Sequence, residues 1–198
     1  MVLAGHAGDE VTARDALADP DPRVRAAGLG AVSRCDRLTT ADVVAALADP
    51  DPQVRRRAAE EAGHHPVLDT GPALLGALAD GDERVLEAAI HALGELGAAP
   101  AGASAAIAEL VTGHREVVVR ETAVAALGSL GDERGRPAVL AATTDVATVR
   151  RRAVLALAAF DGPEVEAALQ RLATDRDRQV RQAAEDLLHG WGGAGEDR

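Results

Sequence analysis

One pattern recurs six times along this chain and limits what it can fold into. Residues 19–32 read DPDPRVRAAGLGAV, 49–62 read DPDPQVRRRAAEEA, and 80–94 read DGDERVLEAAIHALG. Residues 114–128 (HREVVVRETAVAALG), 144–158 (TDVATVRRRAVLALA) and 175–188 (DRDRQVRQAAEDLL) follow the same scheme. The aligned valines are Val24, Val54, Val85, Val119, Val149 and Val180, spaced by 30, 31, 34, 30 and 31 residues. A near-constant period of this length marks an array of small units, each of which buries its apolar face only against its neighbours.

Each copy reads as a turn followed by a helix. With the aligned Val as position 0, positions 4, 7, 8 and 11 are mostly Ala, Leu or another apolar residue, as in Ala89, Ala92, Leu93 and Leu96 or Ala123, Ala126, Leu127 and Leu130. That spacing is one face of a helix. Asp21-Pro22 and Asp51-Pro52 supply a capping carboxylate and a first-turn proline. Gly97, Gly131 and Gly162 fall near the expected stops, where a left-handed residue costs glycine little. A shorter helix precedes each turn, as in residues 40–48 (TADVVAALA), 72–79 (PALLGALA), 104–111 (SAAIAELV) and 164–173 (EVEAALQRLA), and Thr39 with Asp42 has the form of a capping box. The composition agrees: 45 alanines and 1% aromatics suit closely packed helices, not a sheet of β-branched and aromatic side chains. The expected fold is all-α, an α-solenoid of about six helical hairpins. One array would span residues 1–190, and 191–198 (WGGAGEDR) would form a disordered tail.

The repeated D-P-x-V-R-x-x-A-x-x-A-L-G scheme resembles HEAT repeats, in particular the short bacterial PBS-lyase HEAT-like kind. The resemblance covers nearly the whole chain. It implies that the second helices of the hairpins line a concave face. It also implies that an arginine after each aligned valine forms a structural ladder with acids of neighbouring turns. The matching positions are Arg25, Arg55, Arg120, Arg150 and Arg181; the third repeat departs from the scheme with Leu86. Proteins of this kind include partner-binding scaffolds, phycobilin lyase subunits, a di-iron deoxyhypusine hydroxylase and alkyl-base DNA glycosylases, so the fold alone does not choose a function.

Charge and composition narrow the choice. The net charge is −11, and with no lysine all 21 cations are arginines. That balance argues against nucleic acid, which is bound through basic groups, and the scarcity of aromatics removes base-stacking platforms. The runs 55–57 and 150–152 are the only arginine triplets. No run of 18 apolar residues suggests a membrane span, and residues 1–10 lack the pattern of a signal peptide, so a cytoplasmic location is expected. The single cysteine, Cys35, at position 11 of its repeat, is expected to be a buried core residue shared in register with Leu96, Leu130 and Phe160. Phosphate-binding, zincin and nucleophile-elbow motifs are absent, as are the His-Glu dipeptides that hold iron in the hydroxylase relatives.

Candidate functional residues occupy positions 2, 6 and 10 of the second helices, which project away from the buried stripe. In the second and third repeats they are Glu60, His64, Glu87, His91 and Glu95; in the fourth and fifth they include Glu121, Ala125, Leu155 and Ala159. Glu60, His64, Glu87 and His91 combine imidazoles and carboxylates and are weak candidates for a Zn, Fe or Mn site. Polar side chains four apart on a solvated helix give the same pattern. The turn aspartates lack the loop of a calcium site. The expected function is a non-enzymatic interaction scaffold that holds a protein or peptide segment on its concave face and needs no cofactor. The alternative is an enzyme or small-ligand binder, metal-dependent or lyase- or chaperone-like, that uses the His/Glu cluster. Neither an oligomeric state nor a named partner can be read from the chain.

Overall fold

The computed structural model describes the backbone of residues 3–193 and the side chains of residues 10–190. Every regular element among them is a helix, and the chain divides into two compact units, Met1–Leu96 and Gly97–Arg198. The first unit holds α1 (Leu3–Ala16), α2 (Pro22–Arg34), α3 (Thr40–Leu47), α4 (Pro52–His64), α5 (Gly71–Ala77) and α6 (Glu83–Glu95). The second holds α7 (Ala103–Gly113), α8 (Val117–Leu130), α9 (Arg136–Ala142), α10 (Ala147–Leu157), α11 (Pro163–Leu172) and α12 (Arg178–Gly193). Six hairpins result, and the fold is an α-solenoid. α12 runs to Gly193, within the tail expected at 191–198; residues 194–198 lie outside the described ones. No described helix is long and apolar enough to cross a membrane.

The local chemistry explains the helix ends. Asp21, Asp51 and Asp82 accept from backbone N–H groups of the first turns of α2, α4 and α6, and Pro22 and Pro52 begin their helices. Thr39 and Asp42 close a reciprocal capping box on α3. α8 ends on Gly131 at φ +58°, a conformation that costs glycine little.

Within each unit the second helices stack on one another, α2 on α4 on α6 and α8 on α10 on α12, and each packs on the first helix of its hairpin. The core is built of small aliphatic residues. Ala58, Ala62, Ala89, Ala92 and Leu93 are buried in the first unit, and Ala123, Leu127, Ala153, Leu157 and Phe160 in the second. Small residues let helix backbones approach closely. A Cβ on Gly128 of α8 would stand 2.8 Å from the Cα of Ala156 on α10.

One position of the repeat departs from its counterparts, and one expectation about burial needs correction. Five of the aligned valines are buried, but Val24 is 38% exposed. It belongs to the first hairpin, onto which no earlier hairpin stacks among the described residues. Cys35 is half-buried instead of buried, at the C-cap of α2 just beyond Arg34. Leu96, the residue after α6, and Leu130, the last residue of α8, are also half-buried, whereas Phe160, beyond the end of α10, is enclosed.

Candidate functional site

The ladder positions come first because they set the register of the helices that carry the rest. In the first unit, Arg25 Nε and Nη2 donate to the two carboxylate oxygens of Asp49 at 2.8 and 2.7 Å, and Arg55 does the same to Asp80 at 2.6 and 2.9 Å. In the second, Arg120 grips Asp145 and Arg150 grips Asp175 with the same fork. The remaining nitrogen, Nη1, donates to carbonyls of the arginine's own turn, such as Asp49 O for Arg55 and Asp145 O for Arg150. Each aspartate in turn accepts a backbone N–H, as Asp80 does from Asp82 and Asp175 from Asp177. These hydrogen bonds hold the carboxyls of Asp49, Asp80, Asp145 and Asp175 below the usual aspartate range, the arginine fork being the largest cause and burial opposing it.

Two positions depart from this scheme. Leu86 stands where the third repeat would carry its arginine, and His114 stands where the fourth would carry its acid. His114 Nδ1 still accepts the turn's backbone N–H, from Glu116 at 3.2 Å, so the imidazole replaces the carboxylate as a turn acceptor. Arg181 keeps the bond to its own turn, Nη1 to Asp175 O at 2.6 Å, but no carboxylate meets it among the described residues.

The candidate groove residues lie on the stacked second helices, and none of them is buried. In the first unit, Glu60 and His64 are on α4, and Glu87, His91 and Glu95 are on α6, which packs directly on α4. Glu60 is flanked by Arg56 at 3.5 Å and Arg57 at 3.6 Å. No ion pair reaches Glu87 or Glu95 among the described residues. In the second unit, Glu121 meets Arg152 of α10 at 3.5 Å, Ala125 is half-buried, and Ala159 and Leu155 are exposed, Leu155 at 55%. Among the described residues no three His, Cys, Asp or Glu side chains stand close enough to hold a metal ion, Glu60, His64, Glu87 and His91 included.

A polar cluster beside these residues was not legible from the helical period. Glu61, one residue beyond Glu60, is only 3% exposed and pairs with Arg57. His65 Nε2 lies 3.8 Å from the Glu61 carboxylate and 2.7 Å from Ser33 Oγ, which ties the C-terminus of α4 to α2. Gly30 leaves the space that the Arg57 guanidinium fills. One signal for it exists in the sequence: position 7 is Ala31, Ala92, Ala126 and Ala156 in four other repeats, and a glutamate there must be satisfied internally.

Stacked hairpins joined by an arginine–aspartate ladder define a helical-repeat protein. The chain belongs to the HEAT-repeat family, whose model matches residues 40–113 and 103–189. Solved structures of like fold include a designed armadillo repeat protein in complex with the peptide (KR)4, at TM-score 0.71 and 17% identity, covering 92% of this chain and 99% of that one. Another designed armadillo repeat protein matches at TM-score 0.69 and 18% identity, covering 91% and 98%. The complex of CpcE and CpcF of phycocyanin lyase from Nostoc sp. PCC7120 matches at TM-score 0.65 and 23% identity, covering 77% of this chain and 64% of that chain. No curated protein matches the chain.

Proposed function

We propose that the protein is an interaction scaffold and that the face of α4 and α6 holds an extended, basic segment of a partner protein. The observation that carries this reading is the pair Glu87 and Glu95 on α6, two turns apart, at least partly exposed and without ion pairs among the described residues. Cationic side chains of an extended chain would meet them in series, with His64 of α4 and His91 of α6 carried on the same pair of helices. The net charge of −11 adds long-range attraction for a basic partner. The likeness in fold to an armadillo repeat protein in complex with (KR)4, a peptide of alternating Lys and Arg, is consistent with this occupant.

The absence of lysine gives a direct test. A zero-length carbodiimide reagent joins carboxylates to amines, and no side-chain amine of this chain competes with those of a Lys-containing peptide. The expected result is peptide coupled to Glu87 and Glu95 and mapped there by mass spectrometry. Coupling spread evenly over the turn aspartates would remove the reading.

A further inference from the structure

The face of α4 and α6 carries its charges in a fixed order. On α6, Arg84, Glu87, His91 and Glu95 recur at intervals of three and four residues; on α4, Gln53, Arg56, Glu60 and His64 do the same, so each set forms one stripe. From the helix starts onward, an arginine precedes the carboxylates on both helices.

The cationic end borders a cavity of about 320 Å³ lined by Pro52, Gln53, Arg56, Asp82 and Arg84. Its charged groups are unequally engaged. Asp82 is committed to the start of α6, where it accepts the backbone N–H groups of Arg84 at 2.9 Å and Val85 at 3.3 Å. Arg56 has Glu60 at 3.5 Å. Arg84 is exposed, and no carboxylate meets its guanidinium among the described residues. Its counterpart in the first repeat, Arg23, folds back on its own capping aspartate, Asp21, at 2.6 Å. Arg84 makes no such pair with Asp82 and lines the cavity instead. One unpartnered guanidinium beside the exposed Gln53 amide matches a singly charged carboxylate, which a guanidinium edge meets with two parallel hydrogen bonds.

Resting on the reading of α4 and α6 as a site for a basic segment, we infer that this cavity takes a carboxylate of the same partner. The face then holds a segment with an acidic residue at one end and basic residues beyond it, in one direction only. The spacing fits. Glu95 lies eleven residues beyond Arg84, about 16 Å along α6, and an extended chain covers that span with about five residues.

Labelled (KR)4 peptides extended by two glutamates at the first or the last residue, each with a glutamine-extended control, test this in fluorescence anisotropy titrations. The glutamates lower the positive charge of the peptide, so long-range attraction to a chain of net charge −11 weakens for both acidic peptides. The expected result is that one acidic peptide nonetheless binds at least about threefold more tightly than its glutamine control, while the other binds more weakly than its own. Arg84→Gln should remove the gain. Arg34→Gln, which takes the same charge from an exposed site at the end of α2, should keep it. Circular dichroism of both variants verifies that they are folded. Glutamine-extended peptides that bind, with no gain at either acidic end, overturn the inference alone. So does a gain at both ends, or a gain that Arg84→Gln leaves in place. Glutamine-extended peptides that fail to bind overturn the reading of the face, and the inference with it.

Discussion

Arg150 shows how much one side chain contributes to this array. Its side chain is 7% exposed and that of Asp175 is 11%, so the fork joins two groups largely withdrawn from water. Removing one partner leaves the other buried without its counter-charge, a loss of about 2–4 kcal/mol. Arg151, one residue on, reaches only Gln179 at an exposed site, where a substitution costs well under about 1 kcal/mol. Arg150→Ala should therefore lower the thermal midpoint clearly and Arg151→Ala barely, as read by circular dichroism melts of both. The ladder also fixes the response to acid. The carboxyls of Asp49, Asp80, Asp145 and Asp175 are held lower in the folded chain than their unfolded value of about 3.9. Their contribution is complete at pH values above that unfolded value and is lost as pH falls through the lower folded values. Denaturant midpoints measured from pH 7 to pH 2 should hold at the neutral end and fall below about pH 4. Arg150→Ala should flatten that fall, because Asp175 then loses the main cause of its depression.

The helical elements were legible where residue type and period act together. Repeated valines, capping aspartates and first-turn prolines placed α2, α4 and α6, and the capping box placed α3. The pattern is silent where a position's burial depends on which neighbour stacks there, as at Val24 and Cys35. Glu61 escaped because a polar residue on a helix reads as solvated until its partners on adjacent turns and helices are known. Glycines separate the same way. A Cβ on Gly128 would press on the backbone of Ala156 at 2.8 Å, whereas one on Gly76 of α5 would meet nothing within 4 Å. Replacing a helical glycine by alanine gains up to about 1 kcal/mol where space allows, while overpacking a close helix contact costs about 1–3 kcal/mol. Gly76→Ala should thus stabilise and Gly128→Ala should destabilise; equal shifts in chemical denaturation would show that α8 and α10 are not in close contact there.

At the scale of the whole molecule, fold and function were unequally legible. A six-fold repeat encodes its architecture redundantly, so departures such as Leu86 and His114 leave the pattern readable. A binding face uses the positions the repeat leaves free, where each residue occurs once and nothing internal to the chain dictates it. The distinction between Glu60, flanked by two arginines, and Glu87 and Glu95, free of ion pairs among the described residues, came only from the placement of side chains. That distinction is the centre of the functional proposal, and it is open to one direct measurement. A labelled (KR)4 peptide titrated with the protein in fluorescence anisotropy, at low and at moderate salt, compares wild type with the doubly reversed Glu87→Arg, Glu95→Arg variant. Saturable binding is expected that weakens with salt and falls at least about tenfold on charge reversal, while the reversal of the arginine-flanked Glu60 has a smaller effect. Absence of binding at low salt, or equal affinity in wild type and the doubly reversed variant, would contradict it.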